Sequence, residues 1–446
     1  MMRFKLALAA VVLLSTVVGP APAGAAGIKV GAAACDLEAD DSMVIAGGIL
    51  PRYVKGQEGK LRAVAVVLEG PPAGKVAIVA CDALMMVRDL LDPVAEEIER
   101  TCGIPASNVM IHFTHTHHAP STMRVHGYDR DEVFSKTLQR GVVQAVRDAN
   151  ARLSDATFHF KLGEEKTVGQ NSRLLLADGK IYWVGSRDDA VRPTGPFDPE
   201  LPVLAFRDSE GGLKALLFNH STHTIGALTG NLRSPALYGM VAQELESELG
   251  GMVAFLEGAS GSTHRLDIGA DEAAKRIKQA ALQAYQEVEP RPVERLVAVK
   301  RPFTFKVRTF DEATEDHAVA EYCNKRAAGG AETIIAVFRQ MRKELAPHQG
   351  EERTTWLQVV LIGDVAIVGV PAEFFTKLGV EIKRRSPFPD TYIAELSNDW
   401  IGYVGDREAY DLGGYQIWMG LHSYCEPGTG ERIVDDVVKT LEELAR

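Results

Sequence analysis

An α/β fold, with mixed β-sheets and flanking helices, is predicted by three features of this 446-residue sequence. Apolar, β-branched runs of strand length recur from Ile28 to Val370. Amphipathic stretches of helical length, such as Asp131 to Leu153 and Asp271 to Gln286, are interleaved with them. Between Lys75 and Thr114 the order is strand, helix, strand, which calls for parallel or mixed pairing. A hydrophobic content of 46% with 24% charged residues is that of a folded globular chain, and the length allows a large core.

The N-terminus reads as a signal peptide over residues 1–25. Arg3 and Lys5 precede the apolar run Leu6 to Val18, and Ala21-Pro-Ala-Gly-Ala25 supplies small residues for cleavage. Residues 26–446 are then expected to form one soluble domain that is secreted or periplasmic, since no later stretch has eighteen consecutive apolar residues. With Arg3 and Lys5 removed from 49 basic side chains against 60 acidic ones, the formal charge is −13, which argues against nucleic acid as a partner. The five cysteines are scattered and odd in number, with no Cys-x-x-Cys, and read as buried free thiols.

Taken in order, Ile28 to Ala34 is a strand, and Leu61 to Glu69 and Lys75 to Asp82 form a hairpin around Pro-Pro-Ala-Gly. Asp92 and Pro93 read as the cap and first residue of a helix ending near Thr101. The segment that follows is the richest in chemistry, because five of the twelve histidines fall between His112 and His126. Val109 to Thr114 is a buried strand that Pro120 stops, so His115 and His117 share a face; two imidazoles at that spacing can chelate one ion, or stand solvated at a polar strand end. Pro120 then opens a loop. After the helix at Asp131 to Leu153 and a strand at Phe158 to Lys166, Leu213 to His223 repeats the design, an apolar strand with histidines at its end. His223, at the tip, is the better ligand candidate, while His220 points to the opposite face. Both are also compatible with buried hydrogen bonding alone.

Pro235 to Leu249 is a helix, Gly251 to Leu256 a strand, and Glu257-Gly-Ala-Ser-Gly-Ser-Thr-His264 a small-residue loop that lets backbone approach a ligand. Leu296 to Val307 is strand-like. Glu312 to Glu344 is helical, broken at Gly329-Gly330, and is either a solvated face or a lid. Trp356 to Ile362 and Val365 to Val370 form a second hairpin, which Pro371 ends; a helix follows from about Phe374, with Glu373 near its N-terminus, where an ionised carboxylate is favoured. Asn398 to Gln416 gathers Tyr403, Tyr410 and Tyr415 beside glycines, and a phenol there can ligate a metal, stabilise an oxyanion or simply pack.

Five ordered motifs together resemble the catalytic domain of the neutral/alkaline, non-lysosomal ceramidase family over nearly the whole mature chain. They are Thr-His-Thr-His at 114–117, the strand ending at His223, the Gly-rich loop at 258–264, Pro-Ala-Glu at 371–373 and the tyrosine segment at 398–416. The resemblance implies Zn2+ held by His115, His223, Glu373 and Tyr403, with His117 as general acid/base and Tyr415 at the oxyanion. It implies cleavage of the amide bond of ceramide or a related N-acyl lipid by a zinc-activated water, and a lipid substrate would bring transient membrane-surface contact. Asn171 and Arg173, with Ser262, are the candidate substrate-binding residues.

Three departures separate this chain from the family pattern. His118-Ala-Pro120 follows His-Thr-His where the family has Ser-Gly-Pro. In Gly261-Ser-Thr-His-Arg265, His264 stands in place of a functional serine and becomes a catalytic candidate, and Ser262 replaces an aspartate. The chain also ends soon after the tyrosine segment, where the family continues into an immunoglobulin-like domain. The expectation is therefore a short bacterial-type relative. Its alternatives are a zinc hydrolase of another amide, ester or glycoconjugate, or a non-catalytic periplasmic metal- or ligand-binding protein.

Overall fold

The computed structural model describes residues 27–327 and 329–446, so the expected signal peptide lies outside the described residues. Two mixed sheets pack face to face and carry helices on their outer faces, giving four layers. The larger, nine-stranded sheet runs in the order Met252–Glu257, Leu213–His220, Glu200–Arg207, Ser154–Glu164, Ile28–Asp36, Arg62–Gly70, Gly74–Cys81, Val109–Phe113; Glu289–Arg291 adds to Ser154–Glu164. The second sheet is Leu296–Lys306, Glu352–Ile362, Val365–Val370, Asp390–Glu395.

Burial on both faces explains why the strands read as continuous apolar runs rather than alternating ones. On Arg62–Gly70, Val64, Val66 and Leu68 enter the core between the sheets, while Ala63, Ala65 and Val67 face the helices Arg88–Cys102 and Glu132–Ala151. Bulk fills the sheet-to-sheet gap, and small side chains allow the helix to approach. The outer face of the second sheet is covered by Thr376–Arg385 and Thr429–Leu444.

Three strand–helix–strand units decide where chemistry can sit. Gly74–Cys81 pairs parallel with Val109–Phe113, Leu213–His220 with Met252–Glu257, and Val365–Val370 with Asp390–Glu395; each pair is bridged by a helix, Arg88–Cys102, Ala236–Leu249 and Thr376–Arg385 respectively. The carboxyl ends of parallel strands are where open α/β sheets place ligands. Here those ends lead directly into His115 and His117, His223, the 258–264 loop, Glu373, and Leu396 to Asn398.

Several expectations are corrected. The helix expected at Asp92 begins at Arg88, so Pro93 lies in its second turn. The cause is tertiary: the Asp399 carboxylate accepts the Arg88 N–H at 2.8 Å and caps the extra turn. The histidine strand stops at Phe113 rather than running on to Pro120. The charged 312–344 region is neither a plain solvated face nor a free lid. Its helices Glu312–Arg326 and Ala331–Leu345 bury Val319, Tyr322, Ile335, Phe338 and Met341 against Trp418. Asp390–Glu395 and Thr429–Leu444 add a strand and a helix that the sequence pattern did not suggest. All five thiols are free. Among the described residues no helix is long and apolar enough to cross a membrane.

Asn398 ties the two sheets together beneath the site. Its N–H donates to the Ile111 carbonyl at 2.8 Å, its side-chain oxygen accepts the Ile111 N–H at 3.1 Å, and its amide donates to Gln358 at 2.7 Å. The residue is buried with φ of 64°, a left-handed conformation that asparagine tolerates better than most residues. Asn398→Ala leaves two buried partners unsatisfied and is expected to lower unfolding free energy by about 3 kcal/mol in urea titration. A loss below about 0.5 kcal/mol, the level of an ordinary surface change, would contradict this role.

Candidate metal centre

His115 and His117 converge for a reason other than the one their spacing supplies. Both lie in the loop after Phe113, and the backbone turns through a left-handed conformation at His115, with φ of 59°. Such geometry in a non-glycine residue is costly and tends to occur at functional sites. The turn brings His115 Nε2 to 3.2 Å from His117 Nε2 and 2.9 Å from His223 Nε2. His223 arrives from the neighbouring unit, three residues past the strand that ends at His220. His220 faces away, bonded to the Tyr238 hydroxyl and the Glu165 carbonyl, as expected.

The opposite ring nitrogens determine what those contacts are. His115 Nδ1 lies 3.0 Å from the Leu84 carbonyl, His117 Nδ1 3.2 Å from the Gly47 carbonyl, and His223 Nδ1 3.4 Å from the Ser260 carbonyl. A carbonyl only accepts, so each Nδ1 carries the proton and each Nε2 presents a lone pair. Three lone pairs aimed at one another repel unless a cation lies among them. Backbone carbonyls that fix the outer nitrogens are also the usual support of metal-ligating histidines. Burial, with the neighbouring imidazoles, holds His117 and His223 well below the ordinary histidine pKa, so both rings are neutral, the form that binds metal.

Glu373 brings a carboxylate beside two of the imidazoles. Its Oε2 lies 3.4 Å from His115 Nε2 and 3.8 Å from His223 Nε2, while Oε1 accepts the Trp400 indole N–H at 3.1 Å. Glu373 lies near the N-terminus of a helix, as expected, but that helix begins at Thr376 rather than at about Phe374. The residue belongs to the two-residue strand Glu373–Phe374, paired in parallel with Tyr403–Val404, so that Glu373 is opposite Tyr403. Tyr403 is buried, its ring nearly parallel to that of His223 at a centroid distance of 6.4 Å. Burial and the nearby Glu373 carboxylate push its phenol pKa well up. Imidazole nitrogens with a carboxylate oxygen form a donor set that suits zinc.

Two glycines permit this assembly. A side chain on Gly47, whose φ is +89°, would run into the His117 ring, and one on Gly261 would run into the Glu373 backbone carbonyl. The small-residue loop thus allows close approach as expected, but the partner is the segment carrying Glu373.

The remaining candidates divide. His264 is half-buried beside His223, with ring centroids 4.9 Å apart, and burial lowers its pKa to about 4. The Tyr415 ring lies 6.0 Å from that of Tyr403, stacked at 4.5 Å on Trp183, and its hydroxyl is 3.3 Å from His126 Nε2. Because His126 Nδ1 faces the Gly48 carbonyl at 3.1 Å, Nε2 accepts and Tyr415 donates. Arg173 is fully buried and donates to Gln416 and to the Gly413 carbonyl, bracing the tyrosine loop from behind. Asn171 bonds the Arg173 N–H and the Pro196 carbonyl, and the Ser262 hydroxyl bonds Thr376. All three make structural contacts, and together they line one cavity beside Phe375 and Lys377. His126, Trp183, Trp400 and His422, which stacks on Tyr415 at 4.9 Å, went unnoticed in the sequence. His126 and Trp400 were nonetheless inside segments already singled out, the histidine stretch and the tyrosine segment.

No family model matches the chain. Neutral ceramidase of Pseudomonas aeruginosa is 23% identical over 410 residues, an alignment that takes in 76% of this chain and 60% of that protein. The chain thus spans about 60% of the length of the curated relative it matches. Among solved structures, a ceramidase complexed with C2 superposes with a TM-score of 0.74 at 19% identity, covering 94% of this chain and 75% of that one. Neutral ceramidase from Pseudomonas aeruginosa gives 0.70 at 18% identity with the same coverage. The chain is similar in fold to these neutral ceramidases, and its α/β fold of mixed sheets is the expected one.

Gly261→Ala is expected to displace the Glu373 backbone and weaken metal binding about tenfold or more, read by competition with a chromophoric chelator. Unchanged affinity would show that the close approach at Gly261 has no bearing on the centre.

Proposed function

We propose that this chain is an exported, zinc-dependent amidohydrolase that cleaves the amide bond of ceramide or a related N-acyl lipid, with residues 26–446 as its hydrolase domain. The observation that carries the reading is the convergence of the His115, His117 and His223 imidazoles, with the Glu373 carboxylate beside two of them, in a fold similar to that of neutral ceramidase. The match to neutral ceramidase supports the substrate class.

His115, His223, Glu373 and Tyr403 would hold the ion. Bound zinc supplies a Lewis acid and activates water at neutral pH. The chain's own groups handle the protons. His117 is anchored through Nδ1 to Gly47, which leaves Nε2 to take a proton from the attacking water and return it to the departing amine. Tyr415, clamped against Trp183, would turn its hydroxyl from His126 toward the oxygen that gains negative charge. Trp400 keeps Oε1 of Glu373 occupied and so directs Oε2 to the histidines.

A second reading, hydrolysis of a different amide, ester or glycoconjugate, is favoured by His264, an imidazole beside His223 where the family motif carries serine. A fluorescent short-chain ceramide, assayed with and without chelator beside a panel of esters and glycosides, separates the two. Chelator-sensitive turnover of ceramide supports the first reading, and turnover of panel members alone supports the second. Stoichiometric zinc without any turnover would indicate a binding protein.

His115→Ala and Glu373→Ala are expected to lose bound zinc by elemental analysis. His117→Ala should keep it while turnover falls about 10²–10⁴-fold. Zinc lost from His117→Ala as well would make His117 a third nitrogen ligand, and full zinc in the first two variants would overturn the ligand set.

A further inference from the structure

Directly behind the histidines lie two carboxyl groups that the proposed reaction does not use. Glu257 and Glu395 end the parallel strands Met252–Glu257 and Asp390–Glu395, and both are fully buried. The hydroxyl of Ser260 stands between them, 2.7 Å from Glu257 Oε1 and 2.7 Å from Glu395 Oε1. A hydroxyl has one proton to donate. Two short contacts to carboxyl oxygens therefore require that one carboxyl be an acid and donate to the hydroxyl in turn.

The remaining contacts tell the two apart. Glu395 Oε2 accepts the Phe374 N–H at 2.7 Å and the Ser260 N–H at 3.0 Å. Two backbone donors in addition to a hydroxyl favour the ionised form. Glu257 has only hydroxyl neighbours, Ser260 and Thr224, and its Oε2 accepts from Thr224 as a carbonyl oxygen would. Burial pushes both carboxyls well above the usual range, and mutual proximity adds to this at Glu257, in keeping with a shared proton. The chain of donation then runs from Glu257 through Ser260 to Glu395. His112, neutral and buried, closes the network by accepting the Glu257 N–H at 2.8 Å.

Both backbone groups that Glu395 grips adjoin a proposed ligand, one in sequence and one through a hydrogen bond. Phe374 follows Glu373. Ser260 offers its carbonyl to Nδ1 of His223. We propose that Glu395 is a positioning residue of the metal centre: its carboxylate, charge-balanced through Ser260 by a protonated Glu257, holds the Phe374 and Ser260 backbones together and so fixes Glu373 relative to His223. This rests on the metal reading above.

The test is zinc affinity of the purified, metal-stripped chain by chelator competition, with circular dichroism to verify folding. Glu395→Gln replaces one acceptor by a donor facing backbone N–H groups and is expected to weaken zinc binding about 10–100-fold, the usual effect of losing a group that orients a ligand. Glu395→Asp should recover part of that loss, and Glu257→Gln, which keeps a neutral group at the acid position, should bind as the parent does. In infrared difference spectra of the apo chain, the buried carboxylic-acid C=O band should vanish in Glu257→Gln and shift in Ser260→Ala. A folded Glu395→Gln that binds zinc like the parent overturns the assignment alone, as does an acid band indifferent to both Glu257→Gln and Ser260→Ala. A parent chain that binds no zinc overturns the metal reading as well.

Discussion

The His115 Nε2 lone pair faces those of His223 and His117 at 2.9 and 3.2 Å, an arrangement that repels unless positive charge lies among them, and the surrounding structure is organised around that constraint. The Leu84, Gly47 and Ser260 carbonyls each fix an outer nitrogen and thereby select the tautomer that leaves the inner lone pair free. The left-handed turn at His115 and the bare α-carbon of Gly47 are the backbone conditions for the same geometry. None of these features adds obvious stability, and strain kept at a buried polar cluster is characteristic of a functional site.

The fold meets that constraint by repetition. Three parallel strand pairs from two sheets point their carboxyl ends at one region, and each contributes part of the centre: His115 and His117 from the first, His223 and the Ser260 loop from the second, Glu373 and the Glu395 anchor from the third. The two sheets are locked to one another by a large apolar core and, at the strand tips, by Asn398 bonding to Ile111 and Gln358. Placement of ligands from both sheets relative to one another is thus a property of the core, which explains why a continuous apolar pattern in the strands and a metal-type cluster at their ends occur together. The aromatic wall of Trp183, Tyr415, His422 and Phe338, roofed by the charged helical pair, closes the other side.

Much of this was legible in the sequence because the signals were local. Strand-length apolar runs gave both hairpins and all three parallel units except Asp390–Glu395, whose Asp-Thr-Tyr start has too little hydrophobicity to stand out. The histidine motif, the His223 strand tip and Pro-Ala-Glu at 371–373 identified side chains that the structure brings within a few ångströms. What could not be read was set by tertiary contacts. Asp399 caps the helix at Arg88 from 311 residues away, and no local pattern reveals it. Arg173, a substrate-binding candidate, is buried behind the tyrosine loop, a placement that residue type does not announce. The spacing of His115 and His117 pointed to a shared strand face, whereas their meeting depends on one positive φ that sequence does not encode visibly. The carbonyl partners of the imidazoles are backbone atoms, invisible to any reading of side-chain types.

The most direct test of the central claim is an anomalous-difference map collected at the zinc edge from crystals of residues 26–446. The account predicts one strong peak about 2.0–2.2 Å from His115 Nε2, His223 Nε2 and a Glu373 oxygen. Crystals grown with zinc that show no peak there, with the three imidazoles turned apart, would contradict it.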